Sequence, residues 1–264
     1  SLAKLSFDKT GALIIIENEN NLQKYIDAGK KVDIDDYINY INEHPDNPIY
    51  VELDEIPYPV LNSETAKQCS EGSWKNYLYM MERVEYDGYL LPLYHYGEGK
   101  DGLLRILNTE VNGKLPEYIW IGGRHVVNKE AQKQYLREVF SIIQSSDNPN
   151  VKTHAFGVTM LDLLEEFPFY SADSATWLRN AVCGTIRTES CGFIEIGTRK
   201  QFNKDNIMQI KDLEGSTVNA LLEEIERYGY TLEQLRSSRE YAMNWNIDFY
   251  MRWAKNYKYR GPEK

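Results

Sequence analysis

Cysteine is scarce in this chain: Cys69, Cys183 and Cys191 are the only three in 264 residues, and no two of them form a Cys-x-x-Cys pair. That excludes a disulfide framework and removes the usual start of a zinc site. A reducing, cytoplasmic setting is therefore expected, with neither a metal nor another cofactor. Basic charge is short as well, with 30 Lys and Arg against 40 Asp and Glu, a formal net charge of −10. This balance counts against a protein that holds nucleic acid mainly by neutralising phosphates. The end of the chain still carries Lys255, Lys258, Arg260 and Lys264, which read either as a local basic patch or as a solvated tail. Long apolar runs are missing too. The most apolar early run, ALIII at residues 12–16, is far too short to cross a bilayer, and no basic segment with a long apolar stretch precedes it, so no membrane partner is expected.

What is present is an alternation. GALIIIE at residues 11–17 is a β-branched run suited to a strand buried on both faces. Ile34, Tyr37, Ile38 and Ile41 then recur at helical spacing behind Asp33, a plausible N-cap. PIYVELD at 48–54, a helical stretch over 66–81, YLLPLYHY at 89–96 and YIWIGG at 118–123 continue the pattern. Asn128 stands before a helix whose Ala131, Tyr135, Val139 and Ile142 fall close to one face. VKTHAFGV at 151–158 reads as a strand, and Thr159 with Asp162 as a capping box. FYSADS at 169–174 and CGFIEIG at 191–197 are further strand candidates. Two helical stretches, 217–228 and 232–253, close the chain, the second behind a Thr231/Gln234 capping box. Strands alternating with helices at this spacing predict βαβ units on a parallel sheet. About eight of them favour an α/β (β/α)₈ TIM barrel in one domain, 1–264, over a doubly wound open sheet. No internal repeat, low-complexity tract or long linker interrupts it.

Active sites of such barrels lie at the C-terminal ends of the strands. The polar residues found there are Glu17 and Asn18, Asp54 and Glu55, His95 and Tyr96, Gly122 and Gly123, Thr159, and Asp173 with Ser174. Carboxylates converging on one mouth suit glycosidic chemistry, in which one attacks or stabilises an oxocarbenium-like centre and another group moves protons. Glycines let a flat ring lie against backbone. Each residue alone also has a structural reading, since strand ends favour Asp, Asn and Gly for turns.

Several segments resemble the tRNA-guanine transglycosylases. LDEIPYP followed by Ala66, Ser70, Ser73 and Trp74 is similar to that family's Asp-Glu, Pro-Tyr-Pro and A…S…S..W segment, which implies that Asp54 reads the edge of a purine. YIWIGG resembles the family strand whose Gly-Gly backbone faces the base, implying Gly122 and Gly123. In LYHYG, Tyr96 stands where the family has glutamine. FGVT, containing Phe156, resembles its Met-Gly-Val-Gly strand. Asp173, Arg179 and Gly184 keep the spacing of its nucleophilic aspartate, arginine and glycine, so Asp173 is the implied nucleophile. HAFGVTMLDLLEEFPFYSADSATW resembles more closely the shortened transglycosylase-like proteins of phages and mobile elements, some of which insert 7-deazaguanines into DNA. The resemblance covers residues 11–184.

Two features depart from that family. Its first-strand Asp-Ser-Gly-Gly-Phe motif, source of the general acid/base, is replaced by Glu17, Asn18, Glu19 and Asn20; either Glu17 takes over with a longer arm or activity is altered. Its zinc subdomain is missing, and His154 and Cys183 are read as core or supporting residues in barrel strands. The resemblance implies base exchange in nucleic acid through a covalent Asp173 intermediate, with DNA slightly favoured over tRNA and a purine or 7-deazapurine as the incoming base. The acidic balance then requires a positive surface supplied locally or by another subunit, of the same or a different chain. The competing expectation is a barrel that serves as a binding or regulatory subunit.

Overall fold

The structure is a computed structural model that describes residues 14–15, 33–47, 49–55, 63–85, 87–122, 128–158, 160–197 and 208–261. Glu17, Asn18, Gly123 and Thr159 lie outside those residues. The chain is mixed α/β and divides into two compact units, Ser1–Asp173 with Lys258–Lys264, and Ser174–Tyr257.

In the first unit the expected alternation holds. The elements are β1 (Ile14–Ile15), α1 (Ile34–Glu43), β2 (Ile49–Val51), α2 (Ser63–Met81), β3 (Tyr89–Leu91), β4 (Leu93–Tyr94), α3 (Lys100–Asn108), β5 (Tyr118–Gly122), α4 (Lys129–Gln144), β6 (Lys152–Phe156), α5 (Leu161–Glu166) and β7 (Ser171–Asp173). Asp33 caps α1 by accepting the N–H groups of Asp35 (2.9 Å) and Asp36 (3.3 Å). The helix turns Ile38 and Ile41 onto Tyr50 and Met80. Asn128 caps α4 through the Ala131 N–H at 2.9 Å. That helix buries Tyr135, Leu136, Val139, Phe140 and Ile143, a stripe of the width expected for a helix on a sheet. Met160 precedes α5 without a side-chain cap, so Asp162 is not the second half of a described capping box; it pairs with Lys129 at 2.5 Å instead.

The strands pair in parallel in the order β1-β7-β6-β5-β4, and β2 pairs in parallel with β3. The expected strand over 89–96 is two short strands, interrupted because Pro92 has no N–H to give the ladder. Its carbonyl still accepts the Trp120 N–H at 2.9 Å, and the Leu91 carbonyl accepts the Glu52 N–H at 3.0 Å. The neighbour relations thus run from β2 through β3 and β4 to β5, β6, β7 and β1. The first described strand of the unit pairs with its last.

The second unit holds α6 (Thr176–Val182), β8 (Thr185–Thr188), β9 (Gly192–Glu195), β10 (Met208–Gln209), a 3₁₀ turn (Ile210–Asp212), α7 (Gly215–Arg227), α8 (Leu232–Ser237) and α9 (Arg239–Asn256). CGFIEIG does form a strand, but β9 pairs antiparallel with β8 and parallel with β10, outside the parallel set of the first unit. The helix expected over 232–253 breaks at Ser238, which is extended. Cys183 is the C-cap of α6 and not a strand residue. Gly184 must be glycine: its φ is +76°, and a Cβ there would lie 3.1 Å from the Gly197 Cα. The core gathers Ile186, Ile194, Leu221, Ile225, Leu235 and Trp245. Asn246 ties it together, accepting the Arg187 N–H at 2.9 Å and donating to the carbonyls of Trp177 (3.0 Å) and Thr185 (3.2 Å). All three cysteines are free, and no described helix is long and apolar enough to cross a membrane.

Candidate active site at the strand ends

Parallel strands place all their C-terminal ends on one edge of the sheet, so the residues after β2, β4, β5, β6 and β7 share a rim. After β2 the chain alternates Tyr50, Glu52, Asp54, and the period of two keeps them on one side. Glu52 is buried and accepts the Leu93 N–H at 2.8 Å. Asp54 is held from two directions. Ser73 Oγ–H donates to its Oδ1 at 2.9 Å, while His95 Nε2 lies 3.0 Å from its Oδ2.

Helix α2 explains the spacing of its polar face. Ala66, Ser70, Ser73 and Trp74 fall at i, i+4, i+7 and i+8, one stripe of a helix. Ser73 Oγ also accepts the Glu55 N–H at 2.8 Å, so one hydroxyl fixes the backbone and the carboxylate of the strand end. Ser70 Oγ accepts from Arg105 at 2.8 Å, and that guanidinium lies over Trp74, 5.7 Å from the ring centroid.

His95 follows β4 and is clamped between two carboxylates, with Nδ1 2.9 Å from Glu98 Oε1 and Nε2 on Asp54. Glu98 Oε1 also accepts the His95 backbone N–H at 2.8 Å. Burial alone would lower the imidazole's pKa; the hydrogen bonds and charges of Asp54 and Glu98 outweigh it and raise it to about 10. His95 is therefore an imidazolium at neutral pH. Glu52 responds the other way to the same crowding. Burial raises its pKa well above the usual carboxylate value, the Leu93 N–H opposes this, and the charges of Asp54 and Glu98 add to it.

Gly122 ends β5 beneath this cluster. A Cβ on it would meet His95 Cδ2 at 3.2 Å, and its carbonyl accepts the Tyr135 hydroxyl at 2.9 Å. Tyr96 stands one residue past His95, 37% exposed, with its ring edge-to-face against Tyr135. Phe156 ends β6 as the register partner of Gly122, half-buried and edge-on to Trp120 at 4.6 Å between centroids. Asp173 ends β7. Its Oδ1 accepts the Gly157 N–H at 2.8 Å and lies 3.4 Å from His154 Nε2. Ile15 of β1 is the register partner of Asp173.

The rim thus runs from Asp54 through His95, Gly122, Phe156 and its neighbour Gly157 to Asp173, by direct contact, strand register or chain adjacency at each step. Arg179 lies in the second unit, exposed on α6. Glu17, Asn18 and Gly123 lie outside the described residues. Glu52, Glu98 and Ser73 are contributors that residue type alone did not single out. Ser73 had a signal in the helical spacing, and Glu52 in its alternation with Asp54; Glu98, in a turn, had none. His95 belonged to the strand-end residues, but its pairing with Asp54 depends on the fold. Among the described residues no group of His, Cys, Asp and Glu is disposed to hold a metal ion. Neither a protein-family model nor a curated protein matches the chain.

Proposed function

We propose that this chain is a base-exchange glycosyltransferase of the guanine transglycosylase type, built on a (β/α)₈ barrel and acting on guanine in nucleic acid, DNA before tRNA. The observation that carries this reading is the shared rim: Asp54, three residues past β2, and Asp173, at the end of β7, lie 119 positions apart in sequence but at the same end of the parallel strands that run from β2 through β3 and β4 to β5, β6 and β7. Pairing of the first described strand with the last of the parallel set supports a barrel-type order, because it is the neighbour order of a ring and leaves one seam, between β1 and β2; that ring counts six strands among the described residues, with β3 and β4 taken as one.

In the proposed reaction an Asp173 carboxylate oxygen attacks the anomeric carbon of the nucleoside. The bond from that carbon to guanine N9 breaks, its electron pair goes to N9, and guanine leaves with a proton. An incoming 7-deazaguanine then gives up the proton on the corresponding nitrogen and attacks the same carbon, displacing Asp173. Two displacements retain configuration. Glu17, two residues beyond the register partner of Asp173, is assigned the proton transfers. Asp54 receives the N–H edge of the base through the second lone pairs of its oxygens, as a charge-assisted acceptor. Gly122 with Phe156 and Tyr96 forms the wall on which the ring lies.

One observation favours a second reading, a barrel retained as a binding or regulatory subunit: both Asp54 oxygens already have protein partners. Incubation with labelled guanine and either DNA or tRNA separates the two. An enzyme incorporates label, accumulates a covalent nucleic-acid adduct, and loses both in Asp173→Asn. A binding subunit incorporates none, and its nucleic-acid affinity is unchanged by that substitution.

A further inference from the structure

A buried polar chain leads from the floor of the sheet to Asp173. Tyr118 opens β5, His154 lies at the centre of β6, and Ser171 opens β7 as the register partner of His154. The period of two puts Ser171 and Asp173 on the same face of β7. The His154 ring bridges them, with Nδ1 hydrogen-bonded to Ser171 Oγ and Nε2 3.4 Å from Asp173 Oδ1. Tyr118 Oη is hydrogen-bonded to the same Ser171 Oγ. His154 is 1% exposed and Tyr118 1%, so water does not complete these bonds. His154 Nε2 is buried and makes no hydrogen bond among the described residues; Asp173 Oδ1, at 3.4 Å, is the carboxylate oxygen it faces.

The chemistry of the two ends sets the direction of the donors. An ionised Asp173 only accepts, so the nitrogen facing it must carry the proton. With the ring neutral, Nδ1 is a lone pair that takes the Ser171 hydroxyl proton, and the serine oxygen takes the phenol proton of Tyr118; a proton on Nδ1 as well would leave one of those two hydroxyls without an acceptor among the described residues. Burial raises the Tyr118 pKa, so it stays a phenol and a donor throughout the physiological range. Run in reverse, the chain sets a nitrogen lone pair against a carboxylate. Both described contacts of Asp173 fall on Oδ1, from Gly157 N–H and from His154.

We infer that His154 is a positioning residue: a neutral imidazole, protonated on Nε2 and locked in that tautomer by Ser171 and Tyr118, that holds Asp173 by Oδ1 and leaves Oδ2 as the attacking oxygen. Its catalytic consequence rests on the base-exchange reading, while the tautomer does not. Fixing a nucleophile this way matters because misplacement by about 1 Å costs on the order of 100-fold in rate.

Two measurements test it. In ¹⁵N-histidine-labelled protein at pH 7.5, two-bond ¹H–¹⁵N spectra should show His154, assigned by its loss in His154→Leu, with Nε2 protonated and Nδ1 bare. Asp173→Asn and Ser171→Ala should each shift its ring nitrogens. A Nδ1–H tautomer in the wild-type chain, or ring nitrogens that ignore both substitutions, overturns the assignment. In exchange of labelled guanine, His154→Leu should lower kcat about 100-fold with KM for the nucleic acid within about twofold. His154→Gln, which keeps an N–H donor, should recover activity to within about tenfold of wild type. Equal kcat in His154→Leu and wild type overturns the positioning role. No exchange by the wild-type chain overturns the base-exchange reading instead, and the spectra still decide whether His154 holds Asp173.

Discussion

At the scale of single residues the rim is governed by carboxylates placed where water is scarce. Glu52 has a raised pKa in the folded protein. Its contribution to stability is therefore full below the ordinary carboxylate value and is lost as pH rises through the folded one. Glu52→Gln keeps an oxygen for the Leu93 N–H and removes the charge. Its stability relative to wild type should grow by about 1 kcal/mol or more between pH 5 and pH 8, read from urea midpoints at the two pH values. A difference that does not change with pH would show that Glu52 is not the buried carboxyl described here. His95 has the same sign for the opposite charge type. Its pKa is raised to about 10, so its stabilisation is complete below its ordinary value of 6.5 and fades as pH climbs toward 10. His95→Gln strands Asp54 and Glu98 without their cation and should cost about 3 kcal/mol at pH 7. The variant should also lose much of the wild-type decline in stability between pH 8 and pH 10, measured by thermal unfolding.

At the scale of elements, caps and turns decide where helices begin and break. Thr231 and Gln234 form a reciprocal capping box on α8, with the Gln234 N–H on Thr231 Oγ1 at 3.2 Å and the Thr231 N–H on Gln234 Oε1 at 2.8 Å. Because α8 has only six residues, Thr231→Ala should cost about 1 kcal/mol and raise amide exchange within that helix first. Asn246→Leu removes three bonds to backbone groups at once and should cost about 3 kcal/mol or more, seen as a lower urea midpoint. Elements of this kind were unevenly legible. Asp33, Asn128 and Thr231 announced their helices because a cap is a local event, and the strands at 118–122, 152–156 and 171–173 followed from apolar runs bounded by polar residues. The break at Ser238 was hidden, since helical periodicity continues through a single extended residue. The antiparallel partner of β9 was hidden as well, because pairing direction depends on which strand arrives beside it. At the rim, Asp54 and Asp173 stood out through their motifs. The clamp on His95 did not, because it joins two carboxylates, one from the end of another strand and one from the turn that follows.

At the scale of the whole molecule the net charge of −10 must be reconciled with the nucleic-acid substrate proposed above. Several described cations are already committed to carboxylates: Lys129 to Asp162, Lys133 and Arg137 to Glu166, and Arg252 to Glu189. Each such pair removes a charge from the pool that could meet a phosphate. The energy of recognition should therefore come chiefly from the base and sugar held at the rim, with few backbone contacts. Counterion release turns this into a number, because log K falls with log[salt] at a slope of roughly −0.9 per phosphate neutralised on duplex DNA. With about three contacts or fewer, affinity for a guanine-containing duplex should drop by no more than about 50-fold between 50 and 200 mM salt, measured by fluorescence anisotropy. A drop of about 1,000-fold or more would require six or more phosphate contacts. That would place a concentrated basic surface on this acidic chain or on a second subunit bound to it, and sedimentation of the complex would tell these apart.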